Sequence, residues 1–209
     1  MHKRIYLIRH GQSEHNVTRT YLGRDSLLTD TGREQANVVA KRVKHLGVDV
    51  LIASDFPRAL ETASIIGERV GLPVESSELF REWAEASSLH SLHEDDERAL
   101  EIIQRIFSNP DRHDHRHDDE ETFTELATRA NAALAFLEQH AAEKICVITH
   151  GAFLEVLVGT VLFRDEYTRR HFINIFNHSS STNTGITYLE YRDNDGWVLR
   201  CWNDSAHLR

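Results

Sequence analysis

Short apolar runs alternate along the chain with longer segments in which apolar residues recur at helical spacing. Apolar runs at residues 4–8, Val50–Ala53 and Lys144–Thr149 predict strands, and a shorter strand is predicted at residues 74–75. Helical spacing predicts helices at residues 32–46, 57–71, 94–107, 122–140 and 151–163. The pattern is therefore that of a chain in which strands and helices alternate.

A hairpin is predicted near the C-terminus, where two strand-like segments, GITYLEYR and WVLRCWN, flank the turn sequence DNDG. Alternating strands and helices followed by a hairpin indicate an α/β fold, with a mainly parallel central sheet that is covered by helices and has an antiparallel edge. The polar segment DRHDHRHDDEE at residues 111–121 contains nothing that a core could bury, so we expect a loop there. A length of 209 residues suits one large domain and also permits two small ones.

The charge balance narrows the classes of partner. Asp and Glu number 33 against 24 Lys and Arg, so the formal net charge is −9 and the surface should repel the phosphate backbone of nucleic acids. The apolar stretch at the N-terminus is too short for a signal peptide and lacks a small-residue cleavage site. The apolar segment at residues 151–163 is too short to span a membrane and contains Glu155. We therefore expect a cytoplasmic protein that binds neither nucleic acid nor membrane.

The only cysteines, Cys146 and Cys201, both lie in apolar, strand-like surroundings. Because of these surroundings, we expect both to be small buried hydrophobic residues. So few cysteines are typical of a reducing compartment, and their spacing does not indicate a disulfide.

Two predicted strands each run directly into a His-Gly pair, His10-Gly11 and His150-Gly151. One such pair after a strand is more often an ordinary turn than a catalytic site. Two pairs at matching positions carry more weight, because ligands of open parallel sheets bind outside the carboxyl ends of the strands. The glycines would let the backbone approach a ligand closely.

Two arginines complete this candidate site. Arg9 precedes the first histidine, and Arg58 lies in the first turn of a predicted helix, where the helix dipole favours an anion. Taken alone, Arg58 would be an exposed arginine on a helix surface. Together with His10 and His150, however, the two guanidinium groups indicate a phosphate site that contains a nucleophile, because guanidinium stays charged and donates in bidentate fashion to phosphate.

The segments LIRHGQSEHN, SDFPRALETA and VITHGAF resemble the signature motifs of the histidine phosphatase superfamily, the phosphoglycerate-mutase-like family. Further segments, LGRDSLLTDTGREQA, ETFTELATRANAALAFL, TNTGITYLEY and WNDSAHL, are similar to family segments in the same order. The resemblance covers the whole chain except about residues 83–120. It implies a three-layer α/β/α sandwich, formed as a single domain over residues 1–209 with a variable insertion at about 83–120.

The resemblance also implies a role for individual residues. His10 would be the nucleophile that accepts the phosphoryl group, and Glu82 would give a proton to the leaving oxygen. Glu85 and the acidic run at residues 94–97 are weaker candidates for that acid. The residues that would bind the phosphate or lie beside the substrate are Arg9, Arg58, His150, Asn16, Gly23 and Gly151.

These roles predict a phosphomonoesterase of the histidine acid phosphatase type, which hydrolyses a small phosphorylated metabolite through a phosphohistidine and needs no cofactor. A cofactor-dependent phosphoglycerate-type mutase and a non-catalytic phospho-ligand binding protein stay open, as does a homo-oligomer. The segment after Glu82 departs from the family's Gly-x-Trp-Glu-Gly pattern and has no glycine between Trp83 and Asn109. We expect water to reach the phosphohistidine in such a site, which favours hydrolysis.

The histidine-rich loop suggests a metal site as an alternative function. His113, His115 and His117 alternate within the loop, and His90 and His93 lie upstream. We favour a solvated acidic loop, since the proposed chemistry requires no metal.

Overall fold

The computed structural model describes all residues from Met1 to Arg209 and contains one six-stranded sheet, in the order β3-β2-β4-β1-β5-β6. The strands are β1 (His2–Arg9), β2 (Val50–Ala53), β3 (Val74–Ser76), β4 (Lys144–Thr149), β5 (Ile186–Arg192) and β6 (Gly196–Asp204). The four strands β3, β2, β4 and β1 pair with one another in that order and run parallel, whereas β5 pairs antiparallel with both β1 and β6. The predicted α/β sheet with an antiparallel C-terminal edge is confirmed.

Seven helices cover the two faces of the sheet. They are α1 (Glu14–Thr18), α2 (Asp30–Leu46), α3 (Pro57–Val70), α4 (Glu97–Ile106), α5 (Phe123–Gln139), α6 (Gly151–Phe163) and α7 (Arg169–His178). Buried residues of α2 and α3 pack on one face, and those of α4 to α7 pack on the other. The three-layer arrangement is therefore present.

The two cores follow from the alternation of side chains along the central strands. Ile5 and Leu7 of β1 point into the larger core with α5 and α6, whereas Ile8 points into the smaller core with α2 and α3. All three side chains are fully buried. Burial of a side chain of this size contributes about 2 kcal/mol, so both faces of the sheet hold the strand ends in place.

Several boundaries differ from the sequence predictions for identifiable reasons. The helix predicted from residue 94 begins at Glu97, because the Asp96 side chain accepts from the N–H of Arg98 and caps it. The short, polar α1 and the helix α7 were not predicted, although Thr168 and His171 form a capping box at the start of α7.

The prediction for the cysteines was half wrong. Cys146 is buried in β4, but Cys201 is exposed on the edge strand β6, and both are free thiols. No helix combines the length and the apolar character that crossing a membrane requires.

Candidate active site

The carboxyl ends of three neighbouring strands bring the predicted site together. β1 and β4 pair in a register that places Arg9 beside Thr149, so the next residues, His10 and His150, are also neighbours. Their ring centroids lie 5.1 Å apart. β2 flanks β4 on the other side, and Ser54 follows it at the same edge. The parallel pairing of strands far apart in sequence thus creates the cluster that the His-Gly pairs predicted.

The His10 ring is held in one orientation by two contacts. Nδ1 lies 2.7 Å from the carbonyl oxygen of Gly11, which can only accept, so Nδ1 carries the hydrogen. Nε2 is therefore the unprotonated nitrogen, and the Nε–H of Arg58 donates to it at 3.2 Å. Burial lowers the pKa of His10 well below 6.5, and the positive charges of Arg58 and Arg9 lower it further. A neutral ring with an unprotonated Nε2 is what a nucleophile requires.

Arg58 lies in the first turn of α3 and is 6% exposed, so the exposed-arginine alternative is wrong. Its Nη1 donates to the carbonyl of Gly23 at 2.9 Å, and its guanidinium lies 5.1 Å from the centre of the Phe56 ring. The first turns of α3 are hydrogen-bonded to the segment that follows β1, because the Thr62 hydroxyl donates to the Arg58 carbonyl and accepts from the N–H of Gly11. Both the position and the charge of Arg58 are therefore fixed.

Two buried nitrogen atoms in the site have no protein partner. Nε of Arg9 and Nδ1 of His150 are both unsatisfied, although Arg9 also donates to the carbonyl of Ser181 and Nε2 of His150 lies 2.8 Å from the Ser54 hydroxyl. Buried polar groups are almost always hydrogen-bonded, and an orphaned one costs about 1–3 kcal/mol. Burial lowers the pKa of His150 well below 6.5, with Arg58 adding to the effect, so this ring is neutral as well.

Asn16 is oriented by its neighbours so that the NH₂ of its side-chain amide is free to donate. Its oxygen accepts from the N–H of Ser13 and from Nδ2 of Asn183, each at 3.1 Å. Asn183 also donates to the carbonyl of His10 at 3.0 Å. Because the oxygen is occupied, the NH₂ of Asn16 is left to donate into the cavity that this residue lines.

The carboxyl group of Glu82 lies at the N-terminus of α6, the helix that begins immediately after His150. Its Oε1 accepts from the N–H groups of Phe153 at 2.9 Å and Trp83 at 3.0 Å, and its Oε2 accepts from Ala152 at 3.3 Å. The helix therefore fixes this carboxyl group beside the residues predicted to bind phosphate. The predicted proton donor is in the site.

Arg129 of α5 holds the segment that carries Glu82. Its guanidinium donates to the carbonyls of Arg81 at 2.7 Å and Glu82 at 3.3 Å, and it pairs with the Glu121 carboxylate at 2.7 Å. It also lies 4.0 Å from the centre of the Phe153 ring. A single side chain thus connects α5, the Glu82 segment and the end of the histidine-rich loop.

The rival acids occupy two different environments. Glu94 and Asp95 pair with Arg19, and Asp96 caps α4, so the acidic run at residues 94–97 lies outside the site. Glu85, in contrast, lines the same cavity as Glu82. Burial raises the pKa of Glu85 to about 7, with a further contribution from the charge of Glu82.

The cavity at the strand ends has a volume of about 260 Å³ and is lined by most of the predicted site residues. These are Arg9, His10, Asn16, Gly23, Arg58 and Glu82, whereas His150, which adjoins His10, is fully buried. Gly151 lines an adjoining cavity, and a Cβ there would lie 3.5 Å from the Arg9 guanidinium. The closest atom to such a Cβ would be the hydroxyl oxygen of Ser181 at 3.3 Å, so the glycine relieves mild crowding at the start of α6.

The histidine-rich loop lies elsewhere. His115 contacts the carbonyl of Arg105 and His113 packs edge-on against Phe123, while Asp119 accepts from the N–H of Ser87. No three His, Cys, Asp or Glu side chains of the protein are grouped as metal ligands would be. That the loop binds no functional metal stays a prediction, which activity in the presence of a chelator would test.

Three residues of the site were not identified from the sequence. Ser54 contacts His150, Asn183 orients Asn16, and Arg129 holds Glu82. Ser54 had a usable signal, because it follows an apolar strand just as His10 and His150 do. Asn183 and Arg129 lie in TNTGITYLEY and ETFTELATRANAALAFL, which resemble family segments, but neither segment indicates that its polar residue reaches a site in a distant part of the chain.

Comparison with known proteins supports this picture. Residues 5–205 match the histidine phosphatase superfamily (branch 1). A probable phosphoglycerate mutase GpmB from Enterobacter is 32% identical over 210 residues, which cover 98% of this chain and 94% of the relative.

Solved structures with the same fold include YhfR from Bacillus stearothermophilus, with a TM-score of 0.84 and 25% identity over 99% of this chain and 100% of that one. A phosphoserine phosphatase variant from Entamoeba histolytica, solved in complex with phosphoserine, has a TM-score of 0.82 and 24% identity with the same coverage. From the family match over nearly its full length, the chain belongs to the histidine phosphatase superfamily.

Proposed function

We propose that this protein is a phosphomonoesterase that hydrolyses small phosphorylated compounds through a phosphohistidine at Nε2 of His10. The main support is the pair of unpartnered donors, Nε of Arg9 and Nδ1 of His150, which are buried beside an unprotonated imidazole nitrogen. A phosphate dianion supplies the oxygen acceptors that these donors lack. The unpartnered groups of Arg9 and His150 therefore indicate that the ligand is an anion. The unprotonated Nε2 of His10 indicates that the phosphoryl group of the ligand is transferred to the histidine.

In the first step, Nε2 of His10 attacks phosphorus and the bond from phosphorus to the ester oxygen breaks. Arg9, Arg58 and the NH₂ of Asn16 donate to the phosphoryl oxygens, whose charge they stabilise in the transition state. His150 contributes through Nδ1–H, because the Ser54 hydroxyl can donate to Nε2 and leave the hydrogen of the neutral ring on Nδ1. The departing alkoxide takes a proton from Glu82 and leaves as an alcohol.

In the second step, Glu82, now a carboxylate, removes a proton from water as the water oxygen attacks phosphorus. The bond from Nε2 to phosphorus breaks, and His10 regains its lone pair as inorganic phosphate is released. Glu82 regains the proton that it gave to the alcohol, so the enzyme returns to its initial state. The hydrogen bond from Nδ1 to Gly11 stabilises the ring while Nε2 carries the phosphoryl group.

Hydrolysis is favoured over the mutase alternative by the contents of the cavity. A mutase must exclude water from its phosphohistidine, whereas most residues that line this cavity are polar or charged and the cavity adjoins a second one. Several solved relatives of the same fold are named phosphatases, including the phosphoserine phosphatase and mycobacterial glucosyl-3-phosphoglycerate phosphatase. The curated relatives named probable phosphoglycerate mutases support the other assignment, and a direct assay separates the two.

The proposal is tested by trapping the intermediate. Enzyme quenched in acid during turnover of ³²P-labelled substrate should carry acid-labile, base-stable label at His10. His10→Ala should lose the label and lose several orders of magnitude in kcat, as expected for a missing nucleophile. A fully active His10→Ala variant would exclude this mechanism, and a wild-type protein that binds phosphate esters without turnover would be a binding protein.

A further inference from the structure

A second cavity, also of about 260 Å³, adjoins the phosphate site on the side of α6. The two cavities share four lining residues, Arg9, Glu82, Trp83 and Glu85. Because Glu82 would protonate the ester oxygen, the alcohol part of a bound ester leaves the phosphate at the border of this second cavity. The lining of the second cavity is therefore in a position to select the alcohol.

Glu155 of α6 is the most unusual residue of that lining. It is 5% exposed, and only one of its oxygens has a protein partner, the Ser179 hydroxyl at 3.1 Å from Oε1. No Lys, Arg or His nitrogen lies within ion-pair distance of it, and Arg9, which also lines the cavity, donates to the Ser181 carbonyl instead. The other oxygen, Oε2, has no protein partner and is not one of the fully buried polar atoms, so it is open to the cavity. A ligand there can supply the partner that a mostly buried carboxyl group normally has.

Glu85 faces the same space and forms no hydrogen bond or ion pair with the protein. The cavity thus contains three carboxyl groups, those of Glu82, Glu85 and Glu155, and one cation, Arg9. A bound phosphate dianion would neutralise that cation. What is left for the alcohol part is a chamber of acidic groups with apolar walls at Trp83 and Phe176.

We propose that this chamber selects phosphate esters whose alcohol carries an ammonium group on a short carbon chain, with Glu155 as the specificity-determining residue. The statement rests on the proposed phosphatase function. The ammonium group would donate to the free oxygen of Glu155, while the methylene groups pack on Trp83 and Phe176. An ester that carries a carboxylate would find no cationic partner among these groups.

The other side of the phosphate site offers no comparable group for an anion. Arg24 is largely exposed and already pairs with Asp55. Burial lowers the pKa of His15, so that ring is neutral at physiological pH. The acidic groups without a cationic partner therefore lie in the second cavity. Burial raises the pKa of Glu155 to about 8, so its carboxyl group is mostly protonated at neutral pH and would ionise when a ligand cation binds beside it.

The test compares three two-carbon esters that differ only in the terminal group: O-phosphoethanolamine, ethylene glycol monophosphate and 2-phosphoglycolate. We expect kcat/KM to be at least about tenfold higher for the ammonium ester than for the hydroxyl ester, because only the ammonium group gains a charged hydrogen bond. The carboxylate ester should have the lowest kcat/KM, because its charge would be desolvated without a cationic partner. Glu155→Gln should reduce the ratio between the ammonium and hydroxyl esters by about tenfold. Glu68→Gln, the same change at an exposed position on α3, should leave the ratio unchanged.

A wild-type ratio near one, or a ratio that Glu155→Gln does not change, would overturn the inference. Turnover of p-nitrophenyl phosphate in the same preparations reports on the proposed phosphatase function separately. If no ester is hydrolysed, that function is wrong, and calorimetric binding of the same three esters to the His10→Ala variant still measures the selectivity. Equal affinities for the three esters in that experiment would also overturn the inference.

Discussion

Nε of Arg58 lies 3.2 Å from Nε2 of His10, so the candidate nucleophile is in direct contact with a cation of its own phosphate site. The contact has two effects on His10. The positive charge helps to keep the ring unprotonated, and the N–H holds the lone pair in place. The same N–H is a donor that an incoming phosphoryl oxygen can share. One interaction thus prepares both the nucleophile and the binding site.

The leaving group should reveal which carboxyl group is the proton donor. With ethylene glycol monophosphate, Glu82→Gln should lower kcat by about 10²–10⁴-fold, because an alkoxide needs a proton as it leaves. With p-nitrophenyl phosphate the loss should be far smaller, since nitrophenolate leaves without one. Glu85→Gln should show no such dependence on the leaving group. If the dependence appears in Glu85→Gln and not in Glu82→Gln, the assignment of the acid is wrong.

Arg129 should act on catalysis through the position of Glu82. Arg129→Met removes the donor to the Arg81 and Glu82 carbonyls and leaves the Glu121 carboxylate unpaired, which should lower the free energy of unfolding by about 2–4 kcal/mol. Kinetics should show a larger loss with the alkyl ester than with p-nitrophenyl phosphate, as for Glu82→Gln. Denaturant unfolding and the two assays measure both effects. Equal losses with both esters would mean that Arg129 is only structural.

The stability of the protein should depend on pH through Glu155. Its pKa is about 8 in the folded state against an ordinary value of 4.5, so its contribution to stability is fully present below pH 4.5 and is lost as the pH rises through 8. Glu155→Gln does not titrate. The variant should therefore gain roughly 1–4 kcal/mol relative to wild type between pH 5 and pH 8, since one pKa unit corresponds to about 1.4 kcal/mol.

Chemical denaturation of both proteins at several pH values measures that difference. His10 and His150, whose lowered pKa values cost stability below pH 6.5, are present in both proteins, so their effect cancels in the comparison. A difference that stays constant from pH 5 to pH 8 would show that Glu155 is not perturbed by burial.

A direct assay should separate the phosphatase from the mutase. Given 3-phosphoglycerate with a catalytic amount of 2,3-bisphosphoglycerate, the protein should release inorganic phosphate and form little 2-phosphoglycerate. The reason is that a mutase must exclude water from its phosphohistidine, and the segment after Glu82 lacks the family's Gly-x-Trp-Glu-Gly pattern. Rapid isomerisation with little phosphate release would establish the mutase instead.

The sequence by itself determined the strands, most helices and the main chemistry of the site. Apolar runs and helical spacing depend only on neighbours in sequence, so β2, β4 and α6 were placed within their observed limits. His10 and His150 could be paired in advance because the carboxyl ends of parallel strands meet at one edge of a sheet. The α7 helix was missed because its capping box has His171 where the usual sequence signature has Glu or Gln.

Only the tertiary structure decided how these groups are set for chemistry. The register of β1 with β4, the hydrogen on Nδ1 of His10 and the fixed position of Glu82 all depend on contacts between segments far apart in the chain. The same holds for Glu155, which reads as one acidic residue in an apolar helix. Its missing partner became visible only when α6 packed against the phosphate site, because burial and the absence of a counterion are properties of the folded surroundings.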